Sequence, residues 1–329
     1  MKHSIANNPG EKPLPGNRAG VALLVTLLIL VMIVVMAIEI FRIGARAAQT
    51  GAYGRDSIRS TLVAEGGLAA ARVALREDSR NNDYDTLDEI WSRPAPPIEL
   101  GDGIVTVVVE DEDRKFNLNK LVLPNGNAPD EQRLAVFRKL LTVLGIDPLV
   151  AEATVDWLDN DDTTRSGGAE SSYYMSLPVP YRAKNDLFDT LDEFRLVRGV
   201  TKEDFEKLKP FVTIYSGGTV NINTAPKEIL MSLSAGKDAS DAVEISEAMA
   251  AQIVDYRKDN PFQKARDISN VSTQLKDLYD KTRFRDLIDA KSAVFRVRSL
   301  GDHGGTVRTV EAVGLRSGND IQWRYWRLE

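Results

Sequence analysis

The sequence predicts an α+β protein in which one long N-terminal helix packs on an antiparallel sheet and a large α-helical domain is inserted into that sheet. Three observations predict it. A run that is apolar except for Thr26 extends from Val21 to Ile38, and helical spacing of apolar residues continues beyond it to Leu75. Strand-rich segments stand on both sides of the middle, at 104–118 and after 293. The stretch between them reads mostly as helix.

The apolar run comes first. As a helix, Val21 to Ile38 would span roughly 27 Å, about the hydrocarbon thickness of a bilayer. A polar leader with Lys2, Lys12 and Arg18 precedes it and ends at Gly20. An ordinary secretory signal places its apolar segment before the cleavage site and is discarded with it. Here the small-residue break lies in front, so cleavage between Gly20 and Val21 would keep the apolar helix. Two other readings fit part of the pattern. A plain signal anchor needs only the run itself, and a conventional signal could be cut at Ala45-Arg46-Ala47, with Glu39, Arg42 and Arg46 crowding that point. Charge leaves the orientation open, because Arg42, Arg46, Arg55 and Arg59 follow the run.

Helical spacing persists through Ile40, Ile43, Ala47, Ile58, Leu62, Val63, Leu68, Ala71, Val73 and Leu75, until polar residues take over at Asp78-Ser79-Arg80-Asn81-Asn82. Gly44, Gly51, Gly54, Gly66 and Gly67 weaken this helix, each by up to about 1 kcal/mol relative to alanine. Two helices broken near Gly51–Gly54 fit the same pattern.

Strand chemistry follows. Ile104 to Val109 is strongly β-branched, and the acidic turn Glu110-Asp111-Glu112-Asp113 separates it from Lys115-Phe116-Asn117-Leu118. Helices are expected at Asp130–Leu144, Pro148–Leu158, Thr201–Leu208, Ser246–Tyr256 and Ile268–Tyr279, with Thr201 and Asp204 placed as a capping box. Thr224 is expected to cap a helix with Pro226 in its first turn. Three strands close the chain, at Ala293–Leu300, Thr306–Leu315 and Ile321–Leu328, with turns at 301–305 and 317–320. Neither strand group alone makes a comfortable sheet, so pairing across the helical block is favoured over separate domains in series.

Composition narrows the function. About 290 residues remain after the leader and the apolar run, enough for two domains. A net charge of -6 argues against a general nucleic-acid binder. The absence of cysteine excludes thiol catalysis, disulfides and thiolate metal sites, and is compatible with a periplasmic address. The two histidines are His3 and His303, which leaves histidine catalysis or zinc binding almost no material. No nucleophile–base pair, phosphate loop or dinucleotide fingerprint is evident, so an enzyme is not expected. The acidic pair Asp192-Glu193 falls on the polar side of an amphipathic segment with Leu191, Phe194 and Leu196, and is expected to be solvated.

One loop carries metal-ligand chemistry. After Val155-Asp156-Trp157-Leu158 the chain reads Asp159-Asn160-Asp161-Asp162-Thr163-Thr164-Arg165-Ser166-Gly167-Gly168-Ala169-Glu170. Counting Asp159 as one, Asp161, Thr163 and Glu170 occupy positions three, five and twelve, part of the EF-hand ligand skeleton. Thr164 stands where that skeleton needs glycine, so a different calcium loop, joined by Asn185 or Asp186, is the alternative. Asp159 and Asp161 can equally be turn and cap formers in a solvated loop. Their crowding with Asp162 is unfavourable without a cation or intervening solvent.

A second string, Val220-Asn221-Ile222-Asn223-Thr224-Ala225-Pro226-Lys227-Glu228-Ile229-Leu230, resembles the opening of helix-hairpin-helix modules in competence DNA receptors. The hairpin position holds Leu233-Ser234-Ala235-Gly236-Lys237-Asp238 and then an acidic insertion through Glu247, which favours a packing motif over an anion site. A membrane-anchored DNA receptor is therefore the alternative reading of function.

Taken together, these segments resemble the minor pseudopilin K family of type II secretion. The resemblance rests on Gly20-Val21-Ala22-Leu23-Leu24, Glu112 to Asn119, Val155 to Asp161, Gly168-Ala169-Glu170, Phe188 to Glu193, and Val220 to Pro226. It implies a pilin-like fold, with a prepilin leader at 1–20, a transmembrane and spine helix at 21–78, and the first part of the β-domain at 79–123. The helical insertion would cover 124–290 and the C-terminal strands 291–329. It implies prepilin-peptidase cleavage at Gly20–Val21 and an assembly helix marked by Val25, Leu28, Met32 and Val35. Most pilin-like subunits carry glutamate at the fifth mature position; this chain has Val25, which suits a first-assembled subunit with no earlier neighbour to neutralise and spares an unpaired carboxylate in lipid.

The resemblance further implies calcium held by the acidic loop. Asp159, Asp161 and Glu170 are the leading ligands and Asp162 and Asn185 further ones; Ser171 stands where an acid is common in the family. The implied partners are the minor pseudopilins I and J, the prepilin peptidase and the inner-membrane secretion platform, with no nucleic acid. The implied role is a non-enzymatic tip subunit that initiates or caps the pseudopilus. The implied location is the inner membrane, spanned once, with the folded part in the periplasm.

Overall fold

The computed structural model describes residues 18–93, 95–126, 128–235, 243–281, 283–318 and 320–329. Most of the expected leader, at 1–17, and the hairpin stretch 236–242 lie outside them.

Helix α1 runs Arg18–Asn81 and is followed by β1 (Ile98–Leu100), β2 (Gly103–Asp111) and β3 (Phe116–Asn117). Then come α2 (Glu131–Val143), α3 (Val150–Leu158), α4 (Ser171–Tyr174), α5 (Lys202–Leu208), β4 (Val212–Thr213), β5 (Val220–Asn221) and α6 (Lys227–Ser232). A small pair, β6 (Ser234–Ala235) and β7 (Val243–Glu244), precedes α7 (Glu247–Asp259) and α8 (Thr273–Lys281). The chain ends with β8 (Ile288–Asp289), β9 (Val294–His303), β10 (Thr306–Ser317) and β11 (Asp320–Leu328).

Two compact units divide at Ile58. The first, among described residues, is helix alone. Its apolar side chains, including Val25, Leu28, Met32 and Val35, are exposed, and α1 from Gly20 is long and apolar enough to cross a membrane. Gly51 and Gly54 lie within the helix without ending it, so the two-helix alternative is not the one adopted.

The second unit begins at Arg59, where α1 packs on a five-stranded antiparallel sheet of order β1-β2-β9-β10-β11. Ala64, Leu68, Ala71 and Leu75 meet Phe295, Val297, Val310, Ala312 and Ile321 in one core. Helix and sheet come together where side chains are missing. A Cβ on Gly67 would strike Ser299 and Val105, and one on Gly301 would strike the backbone of Ser60 and Ala64. Glycines that weaken α1 as a helix thus permit its contact with the sheet.

β2 and β9 are hydrogen-bonded neighbours from Ile104↔Asp302 to Asp111↔Phe295. The chain therefore leaves the sheet after Asp111 and returns at Val294, enclosing the helices. Their core includes Phe116, Leu134, Phe137, Leu140, Val155, Phe194 and Ile229.

Several local expectations are corrected. The acidic stretch 110–113 is only partly a turn: Glu110 and Asp111 complete β2, while Asp111, Glu112 and Asp113 are buried at the root of the insertion. Asp111 accepts from Thr224 and Ser292 hydroxyls at 2.5 and 2.6 Å, and Asp113 accepts from the Ala293 and Val294 amides at 2.6 and 2.9 Å. Lys115–Leu118 forms only the two-residue β3, which pairs in parallel with β4 and not with the main sheet. Thr224 is therefore not a helix cap; Pro226 holds that position. Ile268–Tyr279 is two elements, a 3-10 turn Ala265–Asn270 and α8, because the chain turns at Val271-Ser272. β9 continues through Gly301 to His303, since Gly301 fits beneath α1. Glu193 is not simply solvated; it completes a capping box with Thr190 and takes an ion pair from Lys184 at 2.8 Å. Leu196, expected on the apolar side, is exposed.

Candidate metal centre

Helix α3 is buried at every position, which places its last turn against the core; residues 160–164 after it are exposed, and the chain is buried again at 168–170. Asp159 is its C-cap residue, in extended conformation, and Glu170 stands at the N-cap of α4 without making a side-chain cap bond. The loop between them folds on polar side chains of α3. The Arg165 amide donates to Asp156 Oδ2 at 3.1 Å, and Arg165 Nε donates to Glu152 Oε2 at 2.9 Å. Glu152 also holds Arg138 at 2.6 Å, so the cation of the loop is already engaged. Across the loop, Asn185 has φ 49° and its amide donates to Trp157 O at 3.0 Å.

This folding gathers Asp159, Asp161 and Glu170, with one carboxylate oxygen of each within 4.8 Å of the others. Asp159 and Glu170 are 5% and 1% exposed, while Asp161 is exposed. Asp159 Oδ1 and both Glu170 oxygens are buried and have no hydrogen-bond partner among the described residues. Burial, followed by the charges of Asp156 and Asp159, pushes Glu170 up to about 8. Burial and Asp161 push Asp159 up to about 6. Asp161 is held below its usual range by the side chain and amide of Thr163.

Buried carboxylates without donors are costly. A hard divalent cation bound by oxygens removes that cost, so the residues present fit calcium. Asn185 offers a further buried oxygen without a donor, Oδ1, while its Nδ2 donates to Asp161 O at 3.0 Å. Asp162 lies outside the trio, exposed, with its Oδ1 3.4 Å from Asn185 Nδ2. Sequence spacing missed Asp156 and Glu152, which shape the loop. Their signal was present as acids set in an otherwise apolar helix.

A second acidic group, Asp78, Asp85 and Glu89, has a different chemistry. Arg316 bridges Asp85 and Asp78 at 2.8 and 3.0 Å, and Trp91 Nε1 donates to Glu89 at 2.6 Å. Its carboxylates meet donors from within the protein, one arginine and one indole.

The Asn221–Leu230 string is internal. Asn221 donates to Asp85 O and Ser292 Oγ at 3.1 and 2.7 Å, and Asn223 exchanges hydrogen bonds with the backbone of Phe262 at 2.8 and 2.9 Å. Gly20 and Val21 are exposed on α1. His303 lies 3.1 Å from Asp102, at the end of β9.

Comparison with known proteins places these features. Two family models described as type II secretion system protein K match residues 114–217 and 220–282. The chain is 31% identical over 269 residues to the type II secretion system protein K of Pseudomonas aeruginosa, covering 78% of this chain and 77% of that protein. It is 28% identical over 319 residues to the protein K of Aeromonas hydrophila, covering 91% and 93%. Among solved structures, the GspK-GspI-GspJ complex from enterotoxigenic Escherichia coli contains a chain that matches with a TM-score of 0.69 and 20% identity, over 86% of this chain and 99% of that one. The fold is shared: a long N-terminal helix on an antiparallel sheet, with an inserted helical region.

Proposed function

This chain belongs to the type II secretion system protein K family, and from that premise we propose that it is the minor pseudopilin at the tip of the secretion pseudopilus. The family is one of structural, non-enzymatic pseudopilins. In the proposed role the chain initiates or caps assembly with the minor pseudopilins I and J, for protein export across the outer membrane.

One observation carries the reading. Between two adjacent strands of a single sheet, β2 and β9, the chain inserts residues 112–293. A subunit broadened in this way is too wide for internal positions in a fibre of small pilin-like subunits, and suits its end. The solved relative stands in a complex with GspI and GspJ, which supports the choice of partners. The exposed apolar helix supports a single-pass anchor in the inner membrane, with the folded part, including the insertion, in the periplasm. On this reading the prepilin peptidase cuts between Gly20 and Val21, and the freed helix packs with sibling helices on the secretion platform.

The acidic loop is proposed to hold calcium through Asp159, Asp161 and Glu170, with Asn185 and Asp162 supporting it. When bound, the ion supplies positive charge where three carboxylates converge. The protein's own groups position them: Asp156 folds the loop onto α3, Thr163 fixes Asp161, and Asn185 ties the Asp161 carbonyl to the neighbouring segment.

Co-expression of the full chain with pseudopilins I and J, followed by detergent extraction and affinity purification, tests the role. A ternary complex is expected, and purification free of both partners would overturn it. Mass spectrometry of the mature N-terminus should start at Val21; another start removes the cleavage proposal.

A further inference from the structure

One pair of cations is left without a counter-charge by the contacts described above. Arg257, in the last turn of α7, donates from Nη1 to Ile222 O at 2.7 Å. Arg114 follows Asp113 at the root of the insertion. Among the described residues, neither guanidinium has a carboxylate within ion-pair distance, although the chain carries a net charge of -6. Burial, and then the positive charge of Arg114, lower Arg257 to about 10, so the two arginines lie close enough to repel.

Beside Arg257 is a cavity of about 200 Å³, also lined by Thr86, Asp88, Asn223 and Lys258. Lys258 is held by Asp255 at 2.8 Å, and Asn223 is committed to Phe262, so these add a polar wall. Asp88 is exposed and pairs with neither arginine. The remaining Arg257 N–H groups are neither bonded nor sealed in the core. A guanidinium in this state presents a fork of donors suited to two oxygens of one group.

The geometry points to an oxyanion site: the cavity takes a phosphate or carboxylate group on Arg257. This site is separate from the acidic loop and does not depend on the tip assignment. The shared chemistry is a compact anion with two or more oxygens, and inorganic phosphate and acetate are the probes that separate the two sources.

Thermal unfolding and calorimetric titration of the detergent-solubilised full chain, at fixed ionic strength, test the proposal. Phosphate or acetate at ten times its dissociation constant should raise the midpoint by about 2–4 °C over chloride. Response to phosphate alone identifies a phosphate site, and response to acetate alone a carboxylate site. Arg257→Lys keeps the charge, loses the fork, and should weaken binding about tenfold. Because that change also alters the bond to Ile222, Asp88→Asn is the second variant; it removes a negative charge from the cavity lining and should strengthen anion binding about threefold. The proposal is overturned if neither anion differs from chloride, or if Asp88→Asn responds as the unmodified chain does.

Discussion

Glu170 places a carboxylate oxygen within 4.8 Å of one from Asp159, across one loop, and neither Glu170 oxygen meets a hydrogen-bond donor among the described residues. Calcium should therefore stabilise the folded chain by about 2.7 kcal/mol at a hundred times its dissociation constant. Glu170→Gln should weaken calcium binding by roughly a hundredfold, yet stabilise the calcium-free protein, because it removes a buried carboxylate crowded by Asp156 and Asp159. Titration calorimetry and melting with calcium or chelator check both halves. An unchanged affinity in the variant would exclude Glu170 as a ligand.

The root of the insertion should make stability depend on pH. Burial pushes Asp111 up to about 7, with Asp113 adding to it, and burial pushes Asp85 and Asp113 up to about 6. Unfolded aspartates titrate near about 3.9, so between these values the folded state binds more protons than the unfolded one. This contribution is fully present below about pH 4 and is lost as pH rises through 6 and 7. Asp320, held at about 2 by Arg72, acts only at lower pH and on the exposed surface, where ion pairs count little. Chemical denaturation in chelator from pH 4 to 8 should show the decline. Asp111→Asn should flatten it, and a slope unchanged in that variant would assign the decline elsewhere.

Arg316 joins the end of α1 and the following loop to β10. Its side chain is 5% exposed, pairs with Asp85 and Asp78, and lies over the Phe295 ring at 4.6 Å. Arg316→Met should cost about 3–5 kcal/mol by leaving Asp85 buried without its partner. Adding Asp85→Asn should recover part of that loss, measured by urea unfolding of both variants. A loss under about 1 kcal/mol would show that solvent reaches Asp85.

Gly301→Ala should cost about 1–3 kcal/mol, because the new Cβ meets the backbone of Ser60 and Ala64. Gly54→Ala, where nothing lies within 4 Å, should be neutral or favour the helix by up to about 1 kcal/mol. Parallel melts compare them, and equal effects would contradict the close approach of α1 to β9.

Much of this fold was legible in the sequence because period and chemistry agreed. The β-branched run at 104–109 and the three C-terminal strands announced the sheet, and Asp130, Thr201 and Ser246 marked the helix starts they cap. Pairing was harder. Lys115–Leu118 alternates like a strand, but alternation does not say which sheet a strand joins, and β3 pairs with β4 inside the insertion. The acids at 111–113 read simply as a turn, because the partners that bury them, Thr224, Ser292 and the Ala293 and Val294 amides, arrive from far along the chain. In the acidic loop, spacing picked out Asp159, Asp161 and Glu170. The parts played by Asp156 and Glu152 depend on how Arg165 folds back, which spacing does not encode.

The apolar helix should tolerate little charge. Leu28→Arg should disfavour membrane integration by about 2.5–3.5 kcal/mol, seen as a larger carbonate-extractable fraction. Unchanged retention would mean that the helix is not the anchor.

Counting and locating the chain on isolated pseudopili tests the tip assignment most directly. Cysteine is absent from the sequence, so a single cysteine placed at exposed Glu206 can carry a gold label without competing thiols. Electron microscopy should show one label per fibre, at an end. Labels spaced along the fibre length would contradict the account.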